Sequence, residues 1–323
     1  MSRRIFFSSR RNYDLSLPTN NEIMMIRRLG WYSFIILFAF TACKTSDDQP
    51  TFDLGKRYET LLKNYNAEKS VQNLNALLQA IGQDYRNSED EKEKEALLLE
   101  ALRWTQEDDQ REYQALFKKE LTKVNPYHYL SESYVFDKAV DARTDKKQNL
   151  ASIYFDGYAR TYPNGKFYGE ASTNISMDTS QVVDYVKSLA REAVAAPDSL
   201  RMSAMMRCKE ASEAYAISHP KDTMSAVFLF NTAQLLRENG NTGEALELFD
   251  WIYNYYKSYS NAPKALFMKA FIMDQVLKKP KVAEGLYKKM IQQFPKDDFV
   301  DDAEFMLKNL QTEGQKSNSS TNK

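Results

Sequence analysis

The chain has 323 residues, of which 43% are hydrophobic and 13% aromatic, but only 10 are Gly and 9 are Pro. Few helix-breaking residues and many large side chains favour packed helices over a turn-rich β fold. Basic and acidic residues number 44 each. Six of the basic and two of the acidic residues lie in 1–42, so the rest of the chain is mildly acidic. No basic surface is implied, and nucleic acid is not an expected partner.

Residues 1–42 have the pattern of a secretory signal peptide. Arg27 and Arg28 precede an apolar run over 29–40, and two small residues separate this run from Cys43. The run is shorter than the roughly 20 residues that a membrane-spanning helix needs, so it favours a cleaved signal over a permanent anchor. Met24 offers an alternative start of translation, in which case residues 1–23 do not belong to the signal.

The sequence Phe40-Thr41-Ala42-Cys43 resembles the lipobox of bacterial lipoproteins, with Phe40 in place of the usual leucine. The resemblance implies cleavage before Cys43, acylation of its thiol and anchoring to the outer membrane by lipid. Residues 43–55 are then the lipidated cysteine and a linker. The acidic residues that follow Lys44 resemble the surface-export signal of Bacteroidetes lipoproteins. Both the periplasmic face and the cell surface therefore stay open as locations.

Helical periodicity is evident beyond residue 55. Val71, Leu74, Leu78 and Ile81 recur at the spacing that places side chains on one face of a helix, and no segment alternates convincingly with the period of a strand. The almost wholly polar stretch 83–95 predicts a turn flanked by charged helix ends. We therefore expect a helical domain over 56–221.

An internal pattern recurs four times along the chain. Each copy has a small residue, in most copies an aromatic or apolar residue one turn later, and a break marked by proline twelve residues after the small residue. Lys257 stands in place of the proline in the third copy. Each copy predicts a helix that packs closely against its neighbour. The four small residues are Ala151, Cys208, Ala245 and Ala283.

The last two copies, within 222–310, resemble tetratricopeptide repeats, and 56–221 carries fainter, degenerate copies. Asn239-Gly240-Asn241 matches the turn between the two helices of a repeat. The segment 262–295 is similar to the repeats of the outer-membrane assembly lipoprotein BamD and of the Tol–Pal-associated periplasmic coordinator. The resemblance implies an all-α fold of stacked helical hairpins, an α-solenoid, in which the first helix of each pair lines a groove. The small residues of the first helices are Ala233, Ala270 and Ala303, at spacings of 37 and 33 residues.

The resemblance also implies which residues line this groove. A groove of this kind accepts a protein or peptide segment, and Arg237 is placed to fix an acidic group. The alternative is that the phenylalanines at these positions are ordinary packing residues. The implied groove residues are Phe230, Gln234, Arg237, Phe267, Phe271 and Asp274.

The expected function is a lipid-anchored scaffold of the cell envelope, acting in outer-membrane protein assembly or in cell-wall and division complexes. Its expected partners are envelope proteins or their peptide segments, and its link to the membrane is the lipid. The alternative is a surface lipoprotein that binds a glycan or a nutrient in the aromatic-rich region 127–136.

No motif predicts an enzyme, a cofactor or a metal site. His128 and His219 are expected at turns, without ligand partners at helical spacing. The acidic group around Asp301 lacks the spacing of a calcium loop and suits the start of a helix. Cys208 is expected to be a buried packing residue. The polar tail 311–323 has no apolar residue around which to fold and is predicted to be disordered.

Overall fold

The structure, a computed structural model, describes residues 52–107 and 110–320, with the side chains of 52–106 and 110–312. The predicted signal peptide, Cys43 and most of the linker lie outside the described residues. Within the described ranges all regular structure is helical, as the sequence predicts. In chain order the helices are α1 (Leu54–Arg57), α2 (Glu59–Ala67), α3 (Val71–Asn87), α4 (Glu91–Glu107), α5 (Arg111–Val124), α6 (Tyr129–Thr144), α7 (Gln148–Thr161), α8 (Tyr168–Thr173), α9 (Thr179–Ala195), α10 (Asp198–Ser218), α11 (Thr223–Glu238), α12 (Thr242–Tyr255), α13 (Ala262–Phe271), α14 (Pro280–Gln293) and α15 (Val300–Ser320).

The chain divides into two compact units, 1–117 and 118–323. In the described part of the first unit, α2 packs on α3 and α3 on α4. Ser70 caps the start of α3, where its Oγ accepts a hydrogen bond from the backbone N–H of Asn73 at 3.2 Å. The rings of Trp104 and Tyr65 are perpendicular, with their centroids 5.5 Å apart. The polar stretch around residue 88 separates α3 from α4, as predicted.

In the second unit, helices pack mainly against their neighbours in the chain. Helix α6 packs on α7, and from α9 to α15 each helix contacts the next; α7 also packs on α10. One buried apolar cluster runs from α6 to α13 and a second from α12 to α15. The predicted domain boundary at 221/222 falls inside this unit, between α10 and α11, which pack together.

The turns of the hairpins α6–α7, α11–α12 and α13–α14 have a common backbone feature. Each turn has a residue in the left-handed region of φ, with values of 61°, 79° and 52°. This conformation reverses the chain in few residues and suits glycine best, yet lysine occupies it in two hairpins. The left-handed residue lies five positions before the small residue of its copy. The three residues are Lys146, Gly240 and Lys278.

Helices α7, α10, α12 and α14 also end with the same backbone conformation, at the residue eleven positions after the small residue of each copy. The end residue has φ between −121° and −129° and ψ between 49° and 63°, and its N–H donates to the carbonyl four residues earlier. Its own carbonyl accepts from the N–H three residues later in all four copies. The sequence pattern is therefore a repeat of backbone structure, and Lys257 supports the same turn as proline. The end residues are Tyr162, His219, Tyr256 and Phe294.

Hairpin α13–α14 differs from α11–α12 by one residue. Helix α13 continues into a π-helical turn, Ile272–Val276, which takes up one residue more than an α-helical turn. As a result, the N–H of Lys279 donates to the carbonyl of Met273, six residues earlier, whereas the equivalent N–H of Asn241 reaches Leu236, five residues earlier. The π turn shifts the end of α13 relative to a regular copy.

The last helix runs into the segment 311–323, whose predicted disorder stays a prediction. Helix α15 begins at Val300 and continues to Ser320 without needing an apolar face beyond Leu310. A helix that is already nucleated by its packed residues adds further turns at low cost, because each added residue closes one more backbone hydrogen bond.

Candidate functional site

A cleft of about 480 Å³ lies between α13 with its π turn and α15. Cavities of this size accept a small ligand or a few residues of a peptide. The cleft has an apolar part, from Phe271, Met306 and Leu310, and a polar part with one carboxylate. Its lining residues are Phe271, Asp274, Gln275, Met306, Asn309, Leu310 and Thr312.

Asp274 is the charged group of this cleft. Asp274 is only 7% exposed, and its carboxylate accepts one hydrogen bond, from Nε2 of Gln275 at 2.9 Å. Among the described residues it enters no ion pair. The hydroxyl of Tyr287 is buried without a hydrogen-bond partner. Burial, and secondarily the negative charge of Asp274, raises the pKa of Tyr287 well above its usual value, so this hydroxyl stays protonated.

Phe271 stands over a cluster of buried aromatic rings. Its ring stacks on Phe267 at a centroid distance of 6.4 Å, and Phe267 also contacts Phe299 at 5.1 Å and Tyr287 at 5.9 Å. Phe267 is 6% exposed and packs in the core, whereas Phe271 is half-buried and reaches the cleft. Phe267 is therefore a packing residue of the core, whereas Phe271 can contact a ligand in the cleft.

The other three predicted groove residues do not line this cleft. Phe230 is 4% exposed and packs against Phe249 and Tyr259. Gln234 and Arg237 are half-buried on α11, and Arg237 lies 3.3 Å from Glu238. Six positions were predicted as one groove, and the structure brings two of them, Phe271 and Asp274, into a common cleft.

The residues that α15 contributes were missed because the repeat register was wrong there. Ala270 lies fourteen residues after the helix end at Tyr256, but Ala303 lies only nine residues after the helix end at Phe294. Ala303 is thus equivalent to Ala265, and both are buried. Counting from the helix ends places Phe305, Asn309 and Thr312 at the positions of Phe267, Phe271 and Asp274. Asn309 and Thr312 line the cleft, so equivalent positions of two successive copies meet there.

A second polar group, in the core, joins Ser218, His219 and Asp156. Nδ1 of His219 lies 3.0 Å from Oγ of Ser218, and its Nε2 lies 3.0 Å from Oδ2 of Asp156. This is the connectivity of a nucleophile, a base and an orienting acid. However, Ser218 is fully buried, and its hydroxyl donates to the carbonyl of Ala214 at 2.7 Å. No substrate can reach it, and the group is structural.

His219 lies at a helix end, as predicted, but it is buried rather than on the surface. Its ring stacks on Tyr215 with the planes 7° apart. The tyrosines of the predicted aromatic-rich region divide between core and surface. Tyr134 is buried, whereas Tyr127 is 50% and Tyr129 is 65% exposed.

A charged cluster surrounds Glu213 on α10. Its carboxylate lies 3.0 Å from Lys119 and 3.0 Å from Lys209, and Lys209 also pairs with Glu244 at 2.6 Å. Burial is the largest influence and raises the pKa of Glu213, but the charges of Lys119 and Lys209 outweigh it and lower the pKa to about 2. Lys209 also pairs with Glu247 at 3.4 Å, and the cluster joins α5, α10 and α12.

Within the described ranges, no group of three or more His, Cys, Asp or Glu side chains is arranged to hold a metal ion. None of the described helices combines the length and apolar character needed to cross a bilayer. Comparison of the chain with protein-family models, with curated proteins and with solved structures finds no match.

Proposed function

We propose that this protein is a lipid-anchored scaffold of the bacterial cell envelope, built from tetratricopeptide-like repeats, that binds a segment of a partner protein in the cleft between α13 and α15. One observation carries the proposal. Equivalent positions of two successive first helices, Phe271 and Asp274 on one and Asn309 and Thr312 on the other, meet around one cleft. Repeat proteins use such equivalent positions for binding. The lipobox-like sequence before Cys43 supports the anchor.

The cleft has the composition of a peptide-binding site. Phe271, Met306 and Leu310 provide apolar contact, while the amides of Gln275 and Asn309 can each both donate to and accept from a peptide backbone. Phe305 is 63% exposed and lies one helical turn before Asn309, on the same face of α15. Large exposed aromatic residues beside a cleft mark interaction sites more often than isolated ones do.

In-cell photo-crosslinking from position 309 tests the proposal. Asn309 is exposed and lines the cleft, so a photoreactive side chain fits there without entering the core. The matched control is position 292, because Gln292 is exposed on α14 and does not line the cleft. We expect reproducible capture of specific envelope proteins from 309 alone. Equal capture from both positions would show that the cleft is not the partner site.

Anchoring is tested separately. Cys43→Ser removes the thiol that lipidation requires, and we expect the wild type to incorporate labelled palmitate and the variant to incorporate none. Cys208→Ser is the control, because Cys208 is buried and 3.4 Å from Oγ1 of Thr232. A wild type that incorporates no label argues against a lipid anchor.

A second candidate function is glycan binding at Tyr127 and Tyr129, because these two rings are exposed close together in the chain. Lys221 lies over the ring of Tyr127, with Nζ 4.6 Å from the ring centroid. Calorimetric titration with cell-wall and plant oligosaccharides distinguishes the two functions. Binding that Tyr129→Ala abolishes and Asn309→Ala leaves unchanged favours the glycan.

A further inference from the structure

The charge of Asp274 bears on the chemistry of the bound segment, and the inference rests on the proposed peptide cleft. Other buried carboxylates of this unit have cations within the chain. Asp156 lies 3.2 Å from Nε of Arg160, and Glu213 lies between Lys119 and Lys209. Asp274 is comparably buried, yet its described contacts give it only the neutral amide of Gln275. A buried carboxylate without a cation is costly, and a cation supplied from outside removes that cost.

The remaining lining fits a long cationic side chain. The ring face of Phe271 suits contact with a guanidinium or an ammonium group. Met306 and Leu310 can cover the methylene stem, and the oxygens of Asn309 and Thr312 can accept further N–H groups. An acidic group in the same place would face the carboxylate of Asp274 at short range, without a basic side chain in the cleft lining to offset it.

We propose that the cleft recognises a segment of a partner protein through an arginine or lysine side chain, which forms an ion pair with Asp274 over the ring of Phe271. Arg237, which sequence reasoning assigned to fix an acidic group, does not line the cleft. The charge of the recognised residue is therefore opposite to the charge expected from the sequence.

The test selects a phage-displayed library of random peptides on the full chain in detergent. The variant Asn309→Trp fills the cleft and identifies the peptides that bind there. Each such peptide is then synthesised with its basic residue, and again with citrulline for Arg or norleucine for Lys, which remove the charge and keep most of the shape. Fluorescence polarisation measures both affinities on the wild type and on Asp274→Asn.

We expect cleft-binding peptides to be enriched in Arg or Lys at one position. Removing that charge should weaken binding to the wild type by about tenfold or more. Asp274→Asn should weaken binding of the charged peptide by a similar factor and leave that of the neutral peptide nearly unchanged, because the two changes remove the same ion pair. The comparison of peptides on the wild type stands even if Asp274→Asn fails to fold.

The outcomes separate the two proposals. One outcome is a set of peptides that bind the wild type but not Asn309→Trp and yet lack a basic residue, or keep their affinity when its charge is removed. Such peptides overturn the proposed recognition of a cationic side chain and leave the peptide cleft standing. If every selected peptide binds Asn309→Trp as well as the wild type, the peptide cleft itself is wrong. The proposed recognition of a cationic side chain is then wrong too.

Discussion

Nε2 of His219 lies 3.0 Å from Oδ2 of Asp156, a residue 63 positions earlier in the chain. The pair joins α7 to the end of α10, and both residues are almost fully buried. Oγ1 of Thr179, at the start of α9, donates to the same carboxylate at 2.9 Å. One carboxylate therefore connects three helices of the second unit.

Asp156→Asn should destabilise the protein. Burial is the largest influence and raises the pKa of Asp156, but the hydrogen bonds from His219 and Thr179 outweigh it, and the net pKa lies below its usual value. Removing the charge from this hydrogen-bonded group should lower the free energy of unfolding by about 2–3 kcal/mol at neutral pH. Urea unfolding followed by circular dichroism measures the difference.

The lowered pKa of Asp156 also determines how its contribution to the free energy of unfolding depends on pH. The stabilisation is present above the pKa of the unfolded chain and is lost as the pH falls through the lower pKa of the folded protein. The difference between wild type and Asp156→Asn should therefore shrink on acidification. Arg160→Gln is the control: the Arg160 side chain is 58% exposed, so its loss should cost no more than about 0.5–1 kcal/mol. A difference that stays constant down to strongly acidic pH contradicts this account.

Gly157→Ala should destabilise the same junction by overpacking. A Cβ atom at residue 157 would lie 2.3 Å from Cβ of Ser218 and 2.8 Å from Cε1 of His219. Displacing these buried groups should cost about 1–3 kcal/mol. Gly285→Ala is the matched control, because it is also helical but has no atom within 4 Å of the added Cβ. It should stabilise the protein by about 0.5–1 kcal/mol through the gain in helix propensity. Thermal unfolding of both variants checks the opposite signs.

Local features of the second unit could be predicted from the sequence. The proline-marked breaks follow from the exclusion of proline from helix interiors, and they recur at the observed helix ends. Gly240 marked a turn because a left-handed residue favours glycine. The same rule missed Lys146 and Lys278, which adopt this conformation without being glycine. Local chemistry identified the helix ends of the four copies, but only one of the three left-handed turns.

The candidate site was harder to predict because it depends on register. The π turn adds one residue to the α13–α14 hairpin, and nothing in the local sequence required it. Matching Ala303 by residue type rather than by distance from Phe294 then shifted the last copy and concealed Asn309 and Thr312. The contact between His219 and Asp156 joins different copies, so no local pattern encodes it.

Glu213→Gln should reveal a strong acid dependence of stability. Because the pKa of Glu213 is lowered from 4.5 to about 2, its charge should contribute about 3 kcal/mol at neutral pH. This contribution is present above the unfolded pKa and is lost as the pH falls from about 5 towards 2. Urea midpoints of wild type and Glu213→Gln should therefore converge over that range.

Glu238→Gln provides the comparison for Glu213. Its carboxylate is 61% exposed and lies 3.3 Å from Arg237. A surface pair of this kind should contribute no more than about 0.5–1 kcal/mol. A convergence of equal size in Glu238→Gln and Glu213→Gln would assign the acid dependence to net charge rather than to the cluster of Lys119 and Lys209.

Lys278→Gly should stabilise the α13–α14 hairpin. Lys278 has a φ of 52°, and its side chain is exposed, so the substitution relieves backbone strain without removing a packing contact. Relief of the left-handed conformation favours glycine by about 1–2 kcal/mol, and the greater freedom of glycine in the unfolded chain offsets roughly 0.5–1 kcal/mol of this. We expect a small net rise in the free energy of unfolding.

Two further variants serve as controls: Gly240→Ala at an equivalent turn, and Lys281→Gly at a helical position nearby. Gly240→Ala places a side chain at a φ of 79°, where no atom lies within 4 Å of the new Cβ, so only the backbone penalty of about 1 kcal/mol should appear. Lys281→Gly, in the first turn of α14, lacks the left-handed conformation and should destabilise by about 0.5–1 kcal/mol. Because all three variants are exposed, thermal unfolding isolates the backbone contribution. If Lys278→Gly destabilises as much as Lys281→Gly, the left-handed turn is not a source of strain.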